Sequence, residues 1–109
     1  METTVRVLPD VDGVRVIVCT GELDLDTVEP LQSATEQAIA DRGLRRIVVD
    51  VSALTFADFS VLHQLVRLLR TGRLVLAGPL PPQLARLLEV TGTAPVFTVA
   101  GDVDTARAA

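Results

Sequence analysis

Apolar residues follow two different periods along this chain, and the switches between them predict alternating strands and helices. Apolar and polar residues alternate at residues 4–8, and again at the start of residues 14–20 before that stretch becomes apolar; with turn residues at 10–13 between them, the two stretches predict a hairpin. Short aliphatic and β-branched runs predict three more strands, at residues 46–51, 74–77 and 96–99. The run at 46–51 is broken only by Asp50, which is typical of a central strand buried on both faces.

Helical spacing of apolar residues predicts four helices between and after these strands. They cover about residues 28–42, 58–70, 82–90 and 102–107. Asp24 or Asp26 is expected to cap the first helix, Asp58 the second and Asp102 the last. Glycines that follow the apolar pattern predict where helices end, at Gly43, Gly72 and Gly92.

The resulting order is ββαβαβαβα, which indicates one α/β domain over residues 1–109. Helices that separate strands imply parallel pairing, whereas the initial hairpin is antiparallel, so the sheet is expected to be mixed. About five strands and four helices are predicted, with the helices on one or both faces.

Composition and charge narrow the classes of function. The 109 residues are 49% hydrophobic, enough for one core, and the net charge is −4. Scattered arginines on an acidic chain argue against a nucleic-acid surface. Cys19 lies in an apolar run and is interpreted as a small core residue. Without an apolar leader or a run of membrane-spanning length, we expect a cytoplasmic protein that does not insert into membranes.

Enzyme chemistry finds no support in the residue pattern. Neither GxGxxG nor GxxxxGK[ST] occurs, and one His and one Cys cannot build a zinc cluster or a triad. Asp50 at the end of a strand could be the phosphoacceptor of a receiver domain, but that fold also requires a lysine and the chain has none. We therefore expect a non-enzymatic protein with no cofactor, no metal and no small-molecule substrate.

The segment at residues 45–62 is the first place to look for function. A strand feeds a helix there through one loop, and in open α/β sheets ligands and partners meet the loops at the carboxyl ends of strands. The tip of this loop is Asp58-Phe59-Ser60. Glu22 and Asp24 follow another strand and are expected at the same end of the sheet.

Four segments in this order and spacing resemble the STAS domain family, which includes the bacterial anti-sigma factor antagonists. The segments are residues 21–24 (GELD), 47–58 (IVVDVSALTFAD), 74–78 (LVLAG) and 87–92 (LLEVTG). The resemblance covers nearly the whole chain. It implies a small α/β domain that binds an anti-sigma factor with a GHKL-type serine kinase fold. A second possibility is an accessory STAS subunit that binds the ATPase of an ABC-type lipid transport system.

One departure from the family pattern concerns phosphorylation. In phosphoregulated members the loop reads roughly Asp-Ser-Ser-Gly and the first serine accepts phosphate, whereas here it reads Asp58-Phe59-Ser60-Val61. Phe59 is either a core residue or an exposed anchor for a partner. Ser60 is either a displaced phosphoacceptor or an ordinary first-turn residue beside the N-cap Asp58. Binding is expected to be independent of phosphorylation, or atypical.

The residues expected to contact a partner lie around this loop and the preceding strand. They are Glu22, Asp24, Asp58, Phe59, Ser60, Leu62 and His63. Asp24 and Asp26 would present negative charge to a basic patch of the partner. His63 is assigned no chemistry, because no Ser, Asp or Cys is placed to form a triad with it.

Overall fold

The computed structural model describes residues 2–109 as a five-stranded sheet with helices on both faces. The elements are β1 (Thr4–Val7), β2 (Val14–Leu23), α1 (Glu29–Ala40), β3 (Arg46–Ala57), α2 (Phe59–Leu69), β4 (Leu74–Ala77), α3 (Pro82–Val90), a 3-10 turn (Ala94–Val96), β5 (Val99–Ala100) and α4 (Val103–Ala108). The strands lie in the order β1-β2-β3-β4-β5; β1 is antiparallel to β2 and the other pairs are parallel. The predicted element order and mixed sheet are confirmed.

Both faces of the central strand β3 are buried, as its composition predicts. Ile47, Val49 and Val51 belong to the larger core cluster, which also includes apolar residues of α1, α2 and α3. Val48 belongs to a smaller cluster on the other face, together with Ala106 of α4. Because successive side chains of a strand point to opposite faces, the consecutive apolar residues of β3 contribute to two cores at once.

The predicted end of β3 at residue 51 is wrong, because the strand continues to Ala57. β2 likewise runs to Leu23, and the two strands stay paired as far as Leu23 opposite Ala57. The pairing between β3 and β4 stops at Asp50 opposite Ala77. The ends of β2 and β3, residues 20–23 and 53–57, therefore continue as a pair beyond the end of β4, with β1 still paired to β2 at Thr20; this segment is here called the β2–β3 ribbon.

A side chain of α3 takes the place of a strand partner at the end of this ribbon. The Ala57 amide donates to Gln83 Oε1 at 2.8 Å, and Gln83 Nε2 donates to the Ala57 carbonyl at 2.8 Å. These two bonds reproduce the donor and acceptor that a neighbouring strand would supply. Gln83 thereby holds the last residue of β3 immediately before the Asp58 loop.

Some predicted element ends are wrong and others are confirmed. Helix α1 begins at Glu29 after Val28 without a side-chain cap, so neither Asp24 nor Asp26 caps it, and it ends at Ala40 rather than at Gly43. The predicted strand at 96–99 is also wrong, because Ala94–Val96 forms the 3-10 turn and β5 is limited to Val99–Ala100. The caps of α2 and α4 and the turns that follow α2 and α3 are confirmed at Asp58, Asp102, Gly72 and Gly92.

Candidate functional site

Asp58 lies where the carboxyl ends of β2 and β3 meet, at residues 22–26 and 56–60, here called the carboxyl edge. It directly follows β3, has an extended backbone conformation and is the N-cap of α2. Its Oδ1 accepts hydrogen bonds from the Ser60 amide at 2.9 Å and the Val61 amide at 3.4 Å, and also from the Ser60 hydroxyl. One carboxylate oxygen thus accepts from the Ser60 amide of the first helical turn and shares the Val61 amide with the Asp58 carbonyl, to which that amide donates at 3.2 Å.

The second oxygen of Asp58 reaches a different part of the chain. The Leu25 amide donates to Asp58 Oδ2 at 3.0 Å. In the reverse direction, the Asp58 amide donates to the Leu23 carbonyl at 3.3 Å. One hydrogen bond therefore ties the start of α2 to the segment at residues 24–28, here called the 24–28 loop, and the other ties it to the last residue of β2.

These hydrogen bonds also decide the charge of Asp58. Burial raises the pKa of its carboxyl, whereas the bonds from the Ser60 hydroxyl and from the amides of Ser60, Leu25 and Val61 lower it. The hydrogen bonds prevail and the pKa lies below its usual value. Asp58 is therefore ionised at neutral pH, and its negative charge lies at the amino terminus of α2, where the helix dipole favours it.

The 24–28 loop is closed by a local turn rather than by a helix cap. The Asp26 amide donates to Asp24 Oδ1 at 2.9 Å, and the Asp24 amide donates to the Thr27 hydroxyl oxygen at 3.0 Å. Aspartate commonly folds its own backbone in this way, and this competes with capping a helix further along the chain. The turn leaves Leu25 at its tip with 76% of its surface exposed.

Phe59 points into solvent rather than into the core, with 68% of its surface exposed. Phe56, on the β2–β3 ribbon, is 40% exposed, whereas Phe97 belongs to the core. Two of the three phenylalanines in an aromatic-poor chain are therefore exposed within four residues of each other. Of the two alternatives for Phe59, the structure selects the exposed one.

The remaining residues predicted to contact a partner differ in accessibility. Glu22 is exposed on the β2–β3 ribbon opposite Phe56, and His63 is exposed on α2. Ser60 is half-buried in the first turn, with its hydroxyl donating to Asp58. Leu62 packs in the larger core cluster at 8% exposure, so little of it is available to another protein. Leu25 was missed, because a single leucine between two aspartates has no periodic pattern to mark it.

The segments that carry Leu25 and Phe59 are rich in acidic residues and contain no arginine. Glu22, Asp24, Asp26 and Glu29 lie on or beside the 24–28 loop, and Asp58 faces them from the start of α2. Residues 16–41 and 47–66 contain no basic side chain other than His63. The exposed apolar side chains of this edge therefore stand among negative charges.

Chemical reactivity is scarce in the part of the chain that the structure describes. Across residues 2–109, no group of three or more His, Cys, Asp or Glu side chains is arranged to hold a metal ion. Cys19 is buried in the core, and this burial raises the pKa of its thiol to about 12. Over the same residues, no helix combines the length and apolar character needed to cross a membrane.

Comparison with known proteins gives a consistent result. The family model described as "STAS domain" matches residues 6–106. The crystal structure of an anti-sigma factor antagonist from Mycobacterium paratuberculosis superposes with a TM-score of 0.82 at 25% identity, covering 98% of this chain and 92% of that one. A variant of RsbS from Moorella thermoacetica superposes with a TM-score of 0.75 at 23% identity, covering 95% of this chain and 92% of that one. The phosphorylated form of the Bacillus cell fate determinant SpoIIAA superposes with a TM-score of 0.65 at 24% identity, covering 89% of this chain and 91% of that one.

Proposed function

Because this chain belongs to the STAS domain family, we propose that it is a non-enzymatic regulator of the anti-sigma factor antagonist type. It binds an anti-sigma factor of the GHKL-type serine kinase class in the cytoplasm and so releases a sigma factor. Its likeness to an anti-sigma factor antagonist over 98% of the chain supports this function. The match of residues 6–106 to the STAS family model supports a regulatory role of this kind.

We further propose that binding to the anti-sigma factor is independent of phosphorylation. The observation that supports this is the exposed Phe59 at the first position of α2. In the phosphoregulated members that the chain resembles, the serine at this position accepts phosphate. A phosphate on serine adds about −1.5 to −2 charge and thereby changes which protein surfaces can bind there. Phenylalanine has no hydroxyl oxygen to which a phosphate could be transferred. We therefore expect binding that does not respond to the kinase activity of the partner.

Ser60 has a structural role in this proposal. Its hydroxyl donates to the Asp58 carboxylate, which already accepts from the amides of the first turn. Helix amino termini favour anions, but here that place is taken by Asp58. A phosphate on Ser60 would set a second anion against this carboxylate, so its formation is disfavoured.

The test uses the purified GHKL-type anti-sigma factors encoded in the same genome. Each is mixed with the protein in the presence of ATP or ADP, and affinity is measured by calorimetry while intact mass reports phosphate. We expect one of them to bind equally well with either nucleotide and to leave the mass unchanged. Phe59→Ser restores a hydroxyl at the acceptor position and is expected to gain one phosphate if that kinase still binds it.

Three results would count against the proposal. A phosphate that is lost in Ser60→Ala would show that the acceptor has moved by one residue and that binding is regulated. If the protein binds none of the anti-sigma factors, its proposed role in releasing a sigma factor is wrong. Binding instead to the ATPase of an ABC transporter would assign the chain to lipid transport.

A further inference from the structure

On the premise of the proposed function, we infer that Leu25 and Phe59 form a two-point apolar anchor for the partner protein, with Asp58 as the positioning residue that fixes their separation. The partner should offer an apolar pocket bordered by Arg or Lys. Leu25 lies on the 24–28 loop and Phe59 begins α2, so they belong to separate segments of the chain. Asp58 joins the two segments through its carboxylate, which accepts from the Leu25 amide and from the Ser60 amide.

Exposure singles out these two side chains. Among the large hydrophobic residues in the described range 2–109, Leu25 at 76% and Phe59 at 68% have the highest exposed fractions. Leaving large apolar side chains in water forgoes the free energy of burying them, and neighbouring ones often mark a binding surface. Side chains that become seated in well-packed, desolvated pockets near the centre of an interface carry most of its binding energy.

Hydrogen bonds join the two backbone segments that carry the anchors and so fix their relative position. The Leu25 amide is held by Asp58 Oδ2 at 3.0 Å, and the Asp58 amide by the Leu23 carbonyl at 3.3 Å. The turn around Asp24 closes the loop from within. Neither anchor therefore depends on a partner to order its backbone, which favours tight binding.

Charge defines the chemistry of the partner. Along the chain, Leu25 is flanked by Glu22, Asp24, Asp26 and Glu29, and no arginine lies in residues 16–41 or 47–66. A partner with acidic groups around its pocket would meet like charges, whereas Arg or Lys would meet opposite ones. A basic rim around an apolar pocket is the surface that complements this edge.

Asp58→Asn tests the positioning role without any partner. Asparagine is as good an N-cap as aspartate, and its single oxygen can still accept from the Ser60 and Val61 amides. Its amide nitrogen cannot accept from the Leu25 amide. We expect hydrogen exchange at Leu25 to accelerate about tenfold while Val61 keeps its protection. An unchanged Leu25 exchange rate would overturn the positioning role of Asp58.

The anchor itself is tested against the anti-sigma factor identified in the binding experiment. Leu25→Ala and Phe59→Ala are each expected to weaken binding at least tenfold, which corresponds to about 1.4 kcal/mol. Asp58→Asn should weaken it as well. Val90→Ala is the matched control, because Val90 is 63% exposed but lies at the end of α3; its affinity should equal that of the wild type.

The outcomes separate this inference from the proposed function. If the anti-sigma factor binds Leu25→Ala as tightly as the wild type, the two-point anchor is wrong although the proposed function stands. If only an ABC ATPase binds, and the same variants weaken it while Val90→Ala does not, the anchor is right and the sigma-factor function is wrong.

Discussion

Gln83→Glu is the substitution that tests most directly how the end of β3 is held. Gln83 accepts from the Ala57 amide and donates to the Ala57 carbonyl, both at 2.8 Å. Glutamate keeps the first bond, but its second oxygen has no hydrogen to donate and faces the carbonyl oxygen. The variant therefore replaces one hydrogen bond by a contact between two acceptors.

The expected cost follows from these two bonds. Leaving a partly buried carbonyl without its donor costs about 1–3 kcal/mol, and repulsion from the carboxylate adds to this. We expect the free energy of unfolding of Gln83→Glu to be lower than that of the wild type by about 2.5 kcal/mol at pH 7. For a domain of this size, 1 kcal/mol shifts the melting temperature by about 4 °C, so Tm should fall by about 10 °C.

The pH dependence makes the prediction specific. A protonated carboxyl can donate to the Ala57 carbonyl, so folding raises the pKa of the introduced group above its usual value of about 4.3. The loss of unfolding free energy in the variant is therefore largest at pH values above the pKa that the introduced carboxyl has in the folded protein. It becomes smaller as the pH falls through that pKa. Urea unfolding at pH 7 and at pH 4 measures this, with Gln37→Glu on the exposed surface of α1 as the control for added charge. A deficit that is equal at both pH values, or no larger than that of the control, would refute the reasoning.

Three further predictions concern stability. Thr35→Val should raise the urea midpoint by the equivalent of about 1 kcal/mol, because Thr35 is fully buried and its hydroxyl has no partner among residues 2–109; a lower midpoint would show that the hydroxyl is bonded. Gly21→Ala should lower Tm, because Gly21 has φ +85° and an added Cβ would lie 2.9 Å from the Glu2 carbonyl oxygen; an unaltered thermal scan contradicts this. The stability advantage of the wild type over Asp58→Asn should be largest at pH 7 and be lost as the pH falls below about 4, since the pKa of Asp58 is lowered by folding; a difference that does not vary with pH would contradict it.

Sequence reasoning was most successful where one residue decides a local conformation. Asp58 immediately precedes a helical apolar pattern, and no other side chain competes for the amides that it caps. Gly72 and Gly92 adopt positive φ, which few other residues tolerate, so they mark turns reliably. The buried run around Val48 could be assigned because only a central strand needs apolar side chains on both faces.

The failures involve interactions between distant segments. The extension of β3 was missed because its register with β2 shifts between Val18 and Thr20 and again between Gly21 and Glu22, which breaks the period of two. Asp24 was expected to cap α1, but it folds its own turn. The bond from the Leu25 amide to Asp58 joins residues 33 positions apart, and no local pattern can reveal it.

The β2–β3 ribbon gives this edge a property that a flexible loop would lack. Its strands are paired up to Leu23 and Ala57, so the backbone from which the 24–28 loop and α2 start is ordered by folding itself. Under the proposed function, this side of the interface would behave as a rigid body and would lose little backbone conformational entropy on binding. Partner choice is thereby separated from foldability: side chains such as Leu25 and Phe59 could be exchanged for others, and the domain could acquire a new partner while its core stays unchanged.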